Sequence, residues 1–297
     1  MFREESKRAG KERKDLIKYL QREGIMLKAK FAYAIWPWGL EKKEQMITAI
    51  KDIKDAGFNY FETVATTVDL FRNDIKGFKS IMDECDVYPV SFYFWQKGDF
   101  ASDVNTLEES LDFLVENNIK RISVQAPGKP GGGATDEELT LLLKTLDKIG
   151  KIAKPCEIIP CFHPHSNTVV MYEREIDFVM QNTDPEYIGF CPDTAHLTVG
   201  GCDAVEIFKR YIDRIKFVHL KDVKRNKMVN VDRNKKEGFE VYSDFLELGD
   251  GEVDFSSIFS IVKESGYDGY LTVELDKSRF SNRESVFMNM KYLKENF

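Results

Sequence analysis

Two hydrophobic rhythms alternate along the chain. Short apolar runs are separated by stretches in which apolar residues recur at the helical period of about 3.6 residues. The runs predict strands at Leu27–Trp36, Asn59–Thr63, Tyr88–Trp95, Arg121–Ala126, Glu157–His163, Tyr187–Asp193, Lys216–Leu220 and Tyr270–Leu275. The stretches between them predict helices beginning near Lys42, Asp69, Asn105, Asp136, Glu173, Asp203 and Phe255, with a last one from Asn282 to Glu295. Strands that are each followed by a helix, about eight times over, make a (β/α)8 TIM barrel, an α/β fold. Ahead of it, Leu16, Ile17, Tyr19 and Leu20 form the apolar stripe of a further helix that Gly24 ends. The expected organisation is an N-terminal helical extension at 1–24, capping the barrel or packing on a partner, and a single barrel domain at 25–297.

One internal echo supports a repeating unit. Ala56-Gly57-Phe58-Asn59-Tyr60-Phe61-Glu62 resembles Ser265-Gly266-Tyr267-Asp268-Gly269-Tyr270. In each, a glycine follows a helix where a left-handed cap is wanted. An aromatic residue and a strand come next, and the strands end in Glu62 and Glu274. Two long loops leave the C-terminal ends of strands, where barrel active sites lie. They are Pro127–Thr135, with Gly131-Gly132-Gly133, and the charge-rich Val223–Val253, with Gly249-Asp250-Gly251. Loops of this length serve as lids or as solvated insertions.

Composition narrows the classes. Apolar and charged fractions of 42% and 31% are those of an ordinary globular protein. No apolar run approaches the roughly 20 residues of a membrane-spanning helix. Met1–Lys14 is charged and lacks the apolar region of an export signal, so a cytoplasmic location is expected. Five cysteines (Cys85, Cys156, Cys161, Cys191, Cys202) with no CxxC fit reduced thiols packed as small hydrophobes. A net charge of −7 gives no overall attraction to a nucleic-acid backbone. A homo-oligomer is compatible with all of this.

The chemistry gathers in the second half. The chain has four histidines, and each falls at or just past the end of an expected strand. His163, Asp193, His219 and Glu274 end strands five to eight, which are neighbours in a barrel, so their side chains can share one centre. Neutral imidazole and carboxylate suit one divalent ion (Mn, Co, Mg or Zn) and leave positions for substrate oxygens. Pro164 bends the chain after His163, so His165 is the alternative ligand, or a substrate contact. His196 is expected at the pocket rim, holding a substrate hydroxyl, carrying a proton or capping a helix. Lys221 lies two residues beyond His219, so strand alternation turns it toward the pocket or into a salt bridge with Asp222 or another carboxylate. Trp36, Trp38 and Trp95 offer flat faces for a sugar ring, or pack at the rim. Glu62 and Gln125 end strands two and four and can meet substrate hydroxyls or serve the structure. The triple glycine beside Lys129 lacks the spacing of a phosphate-binding loop.

At these residues the chain resembles the xylose-isomerase-like barrel superfamily of sugar isomerases and epimerases, and most closely its inosose dehydratase branch. The resemblance covers nearly everything after Ile25. It rests on the run from His163 to Val170, on Asp193-Thr194-Ala195-His196, on Gly201-Cys202-Asp203, on His219-Leu220-Lys221-Asp222-Val223, on the run from Gly249 to Phe255 and on the segment from Gly266 to Asp276. It implies that Asp193, His219 and Glu274 bind a metal. The fourth ligand of the epimerases is a strand-five glutamate that doubles as an acid–base group, and here His163 stands in its place. An epimerase working through two bases would lack one of its carboxylates, which favours dehydration, a lyase reaction on a sugar or cyclitol. In the expected mechanism a metal-polarised carbonyl acidifies the neighbouring C–H, Glu274 removes the proton, Lys221 steadies the oxyanion, and His196 or Lys221 supplies the acid. The alternatives are a ketose or sugar-phosphate isomerase or epimerase, a nuclease of abasic sites on the same barrel, and a non-catalytic sugar-binding barrel. The nuclease needs more histidines and a basic groove.

Overall fold

The computed structural model describes residues 29–224 and 245–297. The expected helix at 1–24 and the middle of the Val223–Val253 loop lie outside the described residues. Eight parallel strands make the barrel: β1 (Lys30–Ala34), β2 (Tyr60–Val64), β3 (Tyr88–Trp95), β4 (Arg121–Gln125), β5 (Ile159–His163), β6 (Gly189–Phe190), β7 (Val218–Leu220) and, after a small ribbon, β10 (Tyr270–Val273). Their order is β6-β5-β4-β3-β2-β1-β10-β7. The seam between β6 and β7 is closed by single bridges, Phe190 with Ile215 and Asp193 with His219. The (β/α)8 barrel expected from the hydrophobic rhythm is the fold observed.

Boundaries moved where local chemistry competes with the apolar pattern. β6 stops short of Asp193 because Pro192 has no N–H for a ladder. Asp193 instead caps a short helix, Thr194–Val199, and accepts the His196 N–H at 2.7 Å. β5 starts at Ile159 because Glu157 takes a left-handed conformation, with φ of 57°, at the end of the preceding turn. β1 ends in a 3-10 turn at Trp36–Trp38 that contains Pro37. The helix expected near Asp69 is two helices, Ala65–Phe71 and Ile75–Cys85, and Asp74 caps the second. The helix expected near Asn105 begins at Phe100, since Asp99 accepts the Ser102 N–H at 2.7 Å. The two halves of the echo agree: Gly57 and Gly266 both sit at positive φ after a helix.

The barrel interior is layered. Ala32, Val90, Cys161, Cys191 and Phe217 form an apolar plug of their own. Burial pushes the Cys161 thiol up to about 12, so it is a hydrophobe rather than a nucleophile. The larger apolar core lies between the strands and the surrounding helices.

Both long loops are tied down where they are described. Gly131, Gly132 and Gly133 sit at φ of 78°, 70° and 81°, and the Gly131 N–H donates to Asn167 Oδ1 at 3.2 Å. That amide is thus spent on the loop after β5, and Gly128 bridges to Thr168. After β7, β8 (Asp222–Val223) pairs antiparallel with β9 (Phe245–Leu246). The Asp222 carboxylate gathers the backbone N–H groups of Val223, Gly249, Gly251 and Val253 at 2.8 to 3.2 Å. A Cβ on Gly251 would meet Asp222 Oδ1 at 2.0 Å, which is why a glycine stands there. Asp222→Ala would strand several of these amides. It is expected to cost roughly 2–4 kcal/mol, read as a lowered urea midpoint, and an unchanged midpoint would deny the clasp a structural role.

Candidate metal centre

At the C-terminal mouth the strand ends deliver their polar side chains to one place. His163 is the last residue of β5, Asp193 and His219 are paired across the barrel seam, and Glu274 follows β10 with its N–H donating to Leu220 O at 3.0 Å. One ligand atom from each of these four residues lies within 4.8 Å of the others, and all four are buried. The free ends are telling. His163 Nε2, Asp193 Oδ2, His219 Nδ1 and Glu274 Oε2 are buried and make no hydrogen bond. The last two are 2.6 Å apart but out of line for one. Buried polar atoms without partners are costly, and one missing partner common to all four would be a cation. Two imidazoles and two carboxylates are a donor set that fits a divalent ion.

The other atom of each group is held by the protein. Asp193 Oδ1 accepts from His196 N–H. His163 Nδ1 faces Cys191 O at 3.4 Å. His219 Nε2 lies 2.6 Å from Glu62 Oε2. Glu62 Oε1 accepts from Ser91 Oγ at 2.9 Å and from Ser123 Oγ. This carboxylate takes the proton side of Nε2 and so leaves the Nδ1 lone pair toward the centre. Of the two roles open to Glu62, a substrate contact at a strand end or a structural one, its surroundings fit the second. It is fully buried inside β2, which runs on to Val64, and its partners are His219 and two serines.

Electrostatics tell the same story. Burial alone would depress the His219 imidazole, but Glu62 and Glu274 on either side outweigh it and push it up to about 10. Burial drives the Asp193 carboxyl up to about 7, against the pull of Lys221. Burial, reinforced by His219, holds His163 well below the usual histidine range, so it stays a neutral donor. A cation among these groups would do the work that the proton on His219 does without it.

Lys221 and His196 sit deeper than expected. Lys221 is fully buried and does not reach the cavity. Its ammonium donates to Glu274 Oε1, to Asp276 Oδ2 at 3.0 Å and to His196 Nε2 at 3.2 Å, and lies 4.4 Å from the Phe245 ring centre. Asp222 is not its partner, being occupied by loop amides. His196 is buried in the Thr194–Val199 helix rather than at the rim, and its Nδ1 meets Ser166 Oγ at 2.9 Å. Burial raises the Glu274 carboxyl, yet Lys221 and His219 together hold it well below the usual carboxylate range.

A cavity of about 220 Å³ opens above the centre, and Trp36, Trp95, Gln125, His165 and Glu274 lie on its wall. Trp95 is 62% exposed, a free aromatic face at the entrance. Trp38 points elsewhere and donates to Asp52 at 3.0 Å. Three further residues line the wall: Val64, Tyr93 and Asp276. Tyr93 lies inside β3, with its hydroxyl on Gln125 Oε1 and its ring stacked at 11° over His219. Asp276 lies two residues beyond Glu274 and keeps a side chain 22% exposed. The alternation that points Lys221 the way of His219 could have found it.

A family model described as xylose isomerase-like TIM barrel matches residues 50–296. An inosose dehydratase of Clostridium tetani is 35% identical over 201 residues, 62% of this chain and 67% of that protein. One of Clostridium perfringens is 36% identical over 164 residues, 54% of this chain and 55% of that protein, so the matched stretch spans about half of it. Among solved structures, the IolI protein with a bound zinc atom superposes with a TM-score of 0.72 at 14% identity, over 90% of this chain and 99% of the other. At that identity the likeness speaks to the fold. Glu62→Gln keeps the side chain's shape and removes its charge from His219. It is expected to weaken divalent-ion affinity about 10–100-fold in a chelator competition, with unchanged circular dichroism. Unchanged affinity would leave Glu62 a structural role alone.

Proposed function

The chain belongs to the xylose isomerase-like TIM barrel family, and from that premise we propose that it dehydrates a keto-cyclitol of the 2-keto-myo-inositol type with the help of one divalent ion. It is a metal-dependent sugar or cyclitol enzyme. The observation that carries this is that His163, Asp193, His219 and Glu274 bring ligand atoms within 4.8 Å of one another at the barrel mouth, and that each has one buried side-chain atom that makes no hydrogen bond. These four would hold the ion, with manganese, cobalt, magnesium and zinc as the candidates. The zinc in the IolI neighbour and the inosose dehydratase relatives support the reading. When bound there, the ion supplies a Lewis acid that polarises a ketone and acidifies the adjoining C–H.

The residues divide the remaining work. Trp36, Trp95 and Tyr93 give the ring aromatic walls, and Gln125 and His165 offer polar contacts. Glu274 is committed on both oxygens, to Lys221 and to the ion position, so it serves as ligand rather than base. Asp276 is the carboxylate at the cavity wall that keeps access to the substrate, and it takes the proton from the carbon beside the ketone. The same group returns that proton to the hydroxyl leaving the next carbon, so that water departs. Lys221 acts through Glu274 and Asp276, and His196 acts through Lys221.

Epimerisation is the second reading. It would place carboxylates on opposite faces of the reacting carbon. Among the described residues the carboxylates on the cavity wall are Glu274 and Asp276, two positions apart on one strand end, which favours elimination over inversion.

Wild-type protein loaded with manganese is expected to convert 2-keto-myo-inositol to a diketone or its enol, seen by NMR; a stereoisomer as sole product would favour the epimerase. Asp276→Asn is expected to keep the ion and lose turnover by about 10²–10⁴-fold. Glu274→Gln is expected to lose turnover and ion affinity together. Full activity in Asp276→Asn would take the proton transfer away from that residue.

A further inference from the structure

The ammonium of Lys221 is surrounded as a metal would be. Glu274 Oε1, Asp276 Oδ2 and His196 Nε2 all face it, the last two at 3.0 and 3.2 Å. Remove the lysine and those three residues still bring ligand atoms within 4.8 Å of one another, the same closeness as the four donors of the first position. Glu274 belongs to both sets, with Oε2 toward His219 and Oε1 toward Lys221. His165 and His196, whose rings are 3.6 Å apart, form a third set with His163.

We infer that this mouth has two cation positions bridged by Glu274, and that the chain fills the second itself with Lys221, limiting the centre to a single divalent ion. The inference rests on the reading of His163, Asp193, His219 and Glu274 as ligands, and it adds a reason for the reaction class. Centres with two ions a few ångströms apart clamp both oxygens of a phosphoryl transfer. A lysine in the second position supplies positive charge but no open coordination site and no activated water. It also pins Asp276 at the cavity wall. The centre is therefore suited to enolising a small ketone and unsuited to cutting a phosphodiester.

Ion counting tests this without substrate. Native mass spectrometry and metal analysis after equilibration with excess manganese are expected to give one ion per wild-type chain. Lys221→Met keeps the length and removes the charge, and is expected to take two. The double variant Lys221→Met/Asp276→Asn is expected to return to one, and Lys221→Arg, which keeps a cation, to stay at one. Two ions in the wild type or in Lys221→Arg, or one in a folded Lys221→Met, overturn the inference while leaving the ligand reading intact. No ion in the wild type overturns both. Should Lys221→Met fail to fold alone, refolding in manganese decides: two ions in the recovered protein support the second position. Failure to recover there, with Lys221→Arg folded and holding one ion, shows that a cation is required at that point and that manganese cannot supply it, which overturns the inference.

Discussion

A single imidazole held between two buried carboxylates organises this molecule. His219 meets Glu62 on Nε2 and Glu274 on Nδ1, each at 2.6 Å. Burying Glu62, Asp193 and Glu274 together is unfavourable unless positive charge is close at hand. Lys221 provides one such charge from within the chain. The rest must come from a proton on His219 or from an ion. Replacing the proton by a divalent ion adds charge where carboxylates are in excess and returns His219 to the neutral form that ligation needs. The donor set and its electrostatics are thus one property.

The barrel makes this concentration of charge sustainable. Its strands are rigid parallel elements, and the apolar plug of Ala32, Val90, Cys161, Cys191 and Phe217 occupies the same interior. Each ligand is placed by backbone hydrogen bonding rather than by a free loop. The Asp193–His219 bridge both closes the barrel seam and sets two ligands side by side. Thr194 Oγ1 then ties the turn after β6 to the backbone of Lys221, accepting its N–H at 2.9 Å and donating to its carbonyl at 2.6 Å. Ligands on regular elements are held more closely than ligands on loops.

Much of this could be read from residue order, and the failures have physical causes. The barrel followed from the alternation of periods, because strands buried on both faces read as apolar runs. The four donors followed from a coincidence of scarce residue types with strand ends. The choice between a substrate contact and a structural role for Glu62 stays open in the sequence because strand position does not reveal depth. It sits inside the barrel because Ser91 on the neighbouring β3 and Ser123 on β4 beyond it give it room and hydrogen bonds, and nothing local marks those serines. The choice for His196 and Lys221 between the pocket and its supporting shell is made by the ribbon after β7, which covers them with Phe245 over the ammonium. Asp276 lies one residue beyond the expected end of its strand at Leu275, so the apolar pattern does not mark it.

The internal echo acquires a meaning that its sequence alone did not show. Its two copies lead into the strands that carry Glu62, inside β2, and Glu274, just past β10, and these are the two carboxylates on either side of His219. β2 and β10 both flank β1 in the sheet, so side chains turned inward from them come from nearby directions. A glutamate from each then reaches the same imidazole from two sides. The surroundings decide what each does there. Ser91 and Ser123 satisfy the far oxygen of Glu62 and fix it as an acceptor for Nε2. Lys221 satisfies the far oxygen of Glu274 and leaves the near one for the centre. Two glutamates that reach one imidazole become a positioning group and a ligand because a hydroxyl pair stands behind one and a cation behind the other.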